Sequence, residues 1–357
     1  AARIALREGH AQEGIELLER LLPQQLSAAD AGGVRILLGQ LYDRQGDAAR
    51  AFPLFVEGNR LAAVASLGSE ANKDRYLSKA IENLGRFSNA GMPLPVTQTG
   101  QDAEPSPIFM IGFPRSGTTL LEQILNSHPD VQTLEEKDTV ATLLKSFLAM
   151  GGDAEQTLVE LDAAQIEQLR RDYFNRVALY INLRPDARLV DKMPLNTAYV
   201  PLLKRVFPNA KFILSIRHPC DVCLSCFMQN FAVNEGMAGF FTLEDTARVY
   251  DLVMGAWLKY VQTLSLDYWQ LRYEDLIEDV EGRTRQLLAF IGVPWNDVVL
   301  RHTEHAQQRG NIRTPSYHQV TQPIYQRAKY RWRRYEKDFE PVMAVLRPYI
   351  ECFGYTD

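Results

Sequence analysis

One stretch constrains this chain more than any other: Ile108-Phe-Met-Ile-Gly-Phe-Pro-Arg-Ser-Gly-Thr-Thr119. Ile108–Gly112 is a short, continuous apolar run, the mark of a strand buried in a parallel sheet. A glycine turn follows, and Thr118–Ser127 then shows helical spacing. A strand, a glycine turn and a helix start gather several backbone N–H groups around one anion, and the helix dipole adds to their pull.

The spacing matches the nucleotide-binding loop G-x-x-x-x-G-K-[ST] at both glycines, Gly112 and Gly117, and at the final Thr119. The lysine position holds Thr118 instead. In nucleoside triphosphatases that lysine reaches the outer phosphates, so its loss argues against a triphosphate held with Mg²⁺. Arg115 sits inside the loop, and Thr118 and Thr119 add hydroxyl donors. This set suits a diphosphate-like group whose outer unit is a sulfate.

Further strand–helix pairs follow: Arg188–Asp191 with a helix to Phe207, Lys211–Ile216 with another, and Asp267–Arg272 before a helix at Asp279–Ile291. This alternation predicts an α/β domain, a parallel sheet flanked by helices, over residues 107–357. The first ~95 residues read instead as an all-α segment. There, Gly39, Tyr42, Gly46, Ala51 and Phe55 fall at the spacings of a tetratricopeptide helix pair, and Gly9, Gly14 and Leu18 form a weaker copy upstream. Residues 96–106, rich in Pro, Gly, Thr and Gln, read as a linker.

Phe113-Pro-Arg-Ser-Gly-Thr-Thr-Leu120 resembles the 5′-phosphosulfate loop of the sulfotransferases. Asn126-Ser-His-Pro-Asp-Val131 and Glu135-Glu136 are similar, more narrowly, to the tyrosylprotein sulfotransferases. The helical start resembles bacterial proteins that join tetratricopeptide repeats to such a domain. The resemblance implies a sulfotransferase fold and 3′-phosphoadenylyl sulfate as donor. Arg115, Ser116, Gly117, Thr118 and Thr119 would then hold its 5′ side.

Arg217 and, eight residues on, Ser225 resemble the family's pair for the 3′-phosphate. Arg offers a bidentate fork that suits a phosphate. Lys192 stands at the end of a strand, where open α/β sheets bind ligands, and by resemblance it contacts the transferring sulfate. An attacking hydroxyl must lose a proton, and a neighbouring carboxylate can take it. Adjacent residues on a strand face opposite ways, and the family pattern places the base second, at Glu136. Glu135 is left as an orienting or capping group. By resemblance Tyr273 lies against the nucleotide. The stretch from Ile312 to Tyr325 resembles the covering C-terminal loop, with Ser316 or Arg331 standing in for a lysine that the tyrosylprotein enzymes carry near Gln322.

Other polar groups read as structural. His128 belongs to a helix-ending turn. His302 and His305 lack companion metal ligands. Cys220, Cys223 and Cys226 recur every three residues on one helix, as buried small side chains rather than a zinc site. The chemistry needs no metal, because cationic side chains surround the leaving group.

The net charge of −5 argues against a nucleic-acid partner. Few, clustered cysteines and the lack of a membrane-length apolar run lead to an expectation of a cytoplasmic protein. The expected partners are a peptide, protein or other hydroxyl acceptor, and a protein bound by the helical repeats. A homodimer stays open. Transfer to a glycan or small phenol is an alternative. A nucleoside-triphosphate-dependent kinase and a repeat-based peptide-binding module are rivals of other classes.

Overall fold

The computed structural model describes residues 2–68, 70–88, 106–229, 235–304 and 329–356. They divide into two compact units, neither of which is one continuous segment.

The larger unit, Leu84–Arg217 with Leu252–Gln326, is built on a parallel sheet of five strands. These are β1 (Ile108–Gly112), β2 (Val131–Glu135), β3 (Arg188–Lys192), β4 (Lys211–Ile216) and β5 (Asp267–Arg272). Their order is β2-β3-β1-β4-β5. The chain therefore steps away from β1 on either side, which leaves β1 central and buried along its whole length. On one side of the sheet Ile108, Met110, Val190 and Ile213 pack with Leu121, Ile124 and Leu287 from the helices Thr118–Asn126 and Val280–Ile291. Phe109 heads an aromatic cluster with Tyr173, Phe207 and Phe212. Residues alternate across a strand, so β1 feeds two apolar layers, as its uninterrupted apolar run requires.

The smaller unit gathers Ala1–Asn83, His218–Asp251 and Arg327–Asp357. The packing thus cuts the chain differently from a boundary at residue 95. The N-terminal helices share their unit with the helix Pro219–Phe227 and the C-terminal helix Glu336–Cys352. Helices Ala28–Arg44 and Ala48–Leu67 form a hairpin turned at Gly46, with Gly39 resting on the Phe55 ring. Ala2–Glu8 and Ala11–Glu19 make a shorter pair upstream. Asp43, at the end of the first hairpin helix, is buried and accepts from Arg331 Nε (3.0 Å) and Tyr335 Oη (2.7 Å), with Arg334 Nη2 also 3.0 Å away. Arg331, offered above in place of the absent lysine, pairs here with Asp43. Among the described residues no helix is long and apolar enough to cross a membrane.

Candidate functional site

The loop after β1 is held by two polar side chains that its own sequence does not contain. Thr197 Oγ1 accepts from the Gly112 amide and lies equally close to the Gly112 carbonyl, 2.8 Å in each case. Ser215 Oγ, on β4, donates to the Ser116 carbonyl at 2.9 Å. A side chain at Gly112 would meet the Ser215 carbonyl oxygen at 2.4 Å, so β1 and β4 are in contact where the loop begins.

Arg115 takes a left-handed backbone, φ 72°, rare for a residue other than glycine. Gly117 follows at φ 100° and starts the helix Thr118–Asn126 with no side chain capping it. A helix start of this kind points its first-turn N–H groups toward an anion. Ser116 Oγ is buried with no hydrogen-bond partner among the described residues, a cost that a bound anion would remove. A Cβ on Gly117 would lie 2.7 Å from the Tyr273 ring, which packs directly on the loop. Arg217 lies over that ring, its guanidinium carbon 5.2 Å from the Tyr273 centroid. These residues fit a phosphate-bearing nucleotide: a buried hydroxyl, an uncapped helix start, an aromatic face and a guanidinium belong to one unit.

Lys192 closes β3 and is wholly buried, with 0% of its surface exposed. It is no solvated surface lysine. Its Nζ donates to Glu136 Oε1 at 2.8 Å and lies 3.8 Å from Glu135 Oε1. Glu135 pairs in register with Lys192 across β2 and β3. On a regular strand Glu136 would then point away. Instead its φ is 49°, and its amide donates to the Lys192 carbonyl at 2.9 Å. The left-handed turn brings both carboxylates to one ammonium, which corrects the strand-alternation argument that kept them apart. Non-glycine residues at positive φ concentrate at functional sites because the strain must be held by surrounding structure. In this unit, among the described residues, they are Arg115 and Glu136.

Two further acids flank this pair. Asp138 precedes the helix Thr139–Leu148 without capping it through its side chain, and its bonds from Arg176 and Tyr180 bring its carboxyl down to about 2. Asp191 lies next to Lys192 and is fully buried, accepting from Thr139 Oγ1 at 2.6 Å and Tyr173 Oη at 2.9 Å. Burial pushes its carboxyl up to about 6 against those two bonds. Its location was missed because a lone Asp in an apolar strand carries no motif.

Ser225 lies on the helix Pro219–Phe227 of the smaller unit and is buried. The three neighbouring cysteines are buried on the same helix, and no disulfide links them. His128 bonds the Pro294 carbonyl and the Asp130 amide, a turn-stabilising role. His302 bonds the Val299 carbonyl, while His305 lies outside the described residues. Among the described residues no group of three or more His, Cys, Asp or Glu could hold a metal ion. Ser316 and the stretch from Ile312 to Tyr325 also lie outside the described residues.

The sulfotransferase family profile matches residues 107–297, more than half of the chain. The chain belongs to the sulfotransferase family. It is 32% identical to an uncharacterized protein of Aquifex aeolicus over 94% of its own length, but spans only 44% of that relative. It is 28% identical to protein-tyrosine sulfotransferase 1 of Danio rerio, over 70% of this chain and 72% of the relative. The sulfotransferase domain of the Synechococcus PCC 7002 olefin synthase covers 74% of this chain and 100% of that one, at a TM-score of 0.50 and 21% identity. That likeness bears on the fold, and it agrees with the five-stranded parallel sheet.

Proposed function

We propose that the protein transfers a sulfuryl group from 3′-phosphoadenylyl sulfate to a hydroxyl acceptor, a tyrosine of a peptide or protein. The observation that carries this reading is the Lys192–Glu136 pair: a wholly buried ammonium 2.8 Å from a carboxylate held on a left-handed backbone. Family membership narrows the chemistry of the loop to sulfuryl transfer. The protein-tyrosine sulfotransferases among its relatives support tyrosine as the acceptor.

Bound, the donor supplies a sulfuryl group on a phosphate leaving group. Ser116, Thr118, Thr119 and the loop amides hold its 5′ side, Tyr273 its base, and Arg217 its 3′-phosphate. Glu136 takes the acceptor's proton as the acceptor oxygen bonds to sulfur. Lys192 and Arg115 hold the negative charge that builds on the phosphate oxygen as its bond to sulfur breaks, which is electrostatic stabilisation by groups already in place. Proton transfer neutralises Glu136 and so weakens its hold on Lys192 as the leaving oxygen needs that ammonium. Glu135, 3.8 Å away, keeps a counter-charge beside Lys192.

The test is ligand-induced stabilisation. A ligand that binds only the folded state raises the melting temperature, and a tighter ligand raises it more at equal concentration. 3′-Phosphoadenosine 5′-phosphate should raise it by several degrees. ATP with Mg²⁺ at the same concentration should raise it far less. The reverse order would turn the reading toward a kinase.

A further inference from the structure

The loop after β1 runs from Gly112 to the helix start at Gly117. Its Ser116 amide is used within the loop, on the Phe113 carbonyl at 3.2 Å. Its Ser116 carbonyl is taken from outside, by Ser215 Oγ of β4 at 2.9 Å. Both serines are buried, and Ser215 stands opposite Gly112 in the register of β1 and β4. The peptides are trans throughout the described residues. A trans peptide holds its C=O and the following N–H in opposite directions. With the Ser116 carbonyl aimed at Ser215, the Gly117 amide therefore faces away from β4.

This peptide is the one in the loop most able to turn over. Its rotation changes ψ of Ser116 and φ of Gly117, and glycine adopts φ on either side of zero with little penalty. Gly117 now stands at φ 100°. Turned over, the peptide would present a carbonyl where the amide now stands. To an anion the two states are opposites, one attractive and one repulsive. The turned-over state would also leave the buried Ser215 hydroxyl without its acceptor, which is costly. Ser116 Oγ, buried and unpartnered among the described residues, belongs to the same residue and is fixed with it.

We propose that Ser215 is a positioning residue for donor binding: its hydroxyl holds the Ser116–Gly117 peptide with the amide turned to the donor's 5′-phosphate. The proposal rests on the reading that this loop holds the donor's 5′ side. Ser215 acts through Ser116, from the strand beneath the loop.

The test compares 3′-phosphoadenosine 5′-phosphate with adenosine 3′-phosphate, which keeps the base and the 3′-phosphate and lacks the 5′-phosphate. Calorimetry on the full chain gives the first affinity and competition at millimolar concentration the second, beside the melting temperature of each variant. Ser215→Ala should weaken the bisphosphate by roughly three- to tenfold, the range for loss of one hydrogen bond. It should leave the monophosphate within about twofold, because that ligand does not engage the affected group. Ser215→Cys, close in size but a weak donor, should show the same split, and it carries the test if Ser215→Ala does not fold. Unchanged affinity for the bisphosphate in both variants overturns the proposal. An equal loss for both nucleotides also overturns it, because that reports general damage to the fold. A wild type that binds neither nucleotide removes the donor reading, and this proposal falls with it.

Discussion

The two units place polar groups in the core by opposite means. In the larger unit the chemistry is local: Gly112 to Thr119 is one loop, and Glu135, Glu136 and Lys192 meet at the ends of neighbouring strands. Left-handed non-glycine backbone occurs there at Arg115 and Glu136, and in the smaller unit at Tyr330. In the smaller unit no short motif is at work. Asp43 binds Arg331, Arg334 and Tyr335, and Asn59 binds Phe227, across separations of more than a hundred residues. The first arrangement shapes a reaction, and the second holds a helix in place. Substitutions at Glu136 and Gly117 in the first should change turnover or donor binding while the fold persists, and one at Asp43 in the second should change stability.

Glu136→Gln gives the largest expected effect. Its turnover should fall by roughly 10²–10⁴-fold, the range for loss of a general base, while affinity for 3′-phosphoadenosine 5′-phosphate stays within about twofold. Steady-state kinetics beside calorimetry would show this. Normal turnover would remove Glu136 from the mechanism and blur the contrast between the units.

Gly117→Ala comes next. The new Cβ would sit 2.7 Å from the Tyr273 ring, at φ 100°. The loop would have to shift, and donor affinity should fall by about tenfold or more, since strain of about 1–3 kcal/mol accompanies such a backbone. Unaltered nucleotide affinity would show that the loop does not cradle the donor.

Asp191 gives a pH test within the larger unit. Burial raises its folded carboxyl to about 6, above the ~3.9 of an unfolded aspartate. Its contribution to stability is thus full below about pH 4 and lost as the pH rises through about 6. Relative to Asp191→Asn, the wild type should lose about 2–3 kcal/mol of stability across that window, read from denaturant unfolding at each pH. Parallel profiles for the two proteins would contradict the buried environment.

Asp43→Ala belongs to the smaller unit and should cost about 1–3 kcal/mol of stability, the range for leaving buried donors unpaired. Its partners Arg331 and Arg334 are partly exposed, which limits the loss. The acceptor KM should not change. A variant that was fully stable yet defective in turnover would erase the distinction drawn between the units.

Much of the larger unit was legible because buried parallel strands are written as apolar runs. β1 and β4 begin and end where the runs Ile108–Gly112 and Lys211–Ile216 do. The loop was legible because glycine spacing reports backbone shape. The meeting of Glu135 and Glu136 at Lys192 was not, because it depends on one left-handed residue that no propensity favours. Thr197 and Ser215 escaped notice as well, although Ser215 interrupts the apolar run of β4 and could have been marked as a polar group with a partner to find. The smaller unit was the least legible. Small residues at Gly39 and Ala51 announced a helical hairpin, but nothing local in Asn59 or Asp43 says that its partner lies in a distant segment.

The most direct test of the central claim is transfer itself. The chain should be incubated with sulfur-labelled 3′-phosphoadenylyl sulfate and a panel of tyrosyl peptides, small phenols and sugars, and the products read by mass spectrometry. The account predicts label on the tyrosine of a peptide, one 3′-phosphoadenosine 5′-phosphate formed per sulfuryl group transferred, and loss of both in Glu136→Gln. Absence of label from every acceptor, by a protein that binds the nucleotide, would contradict it.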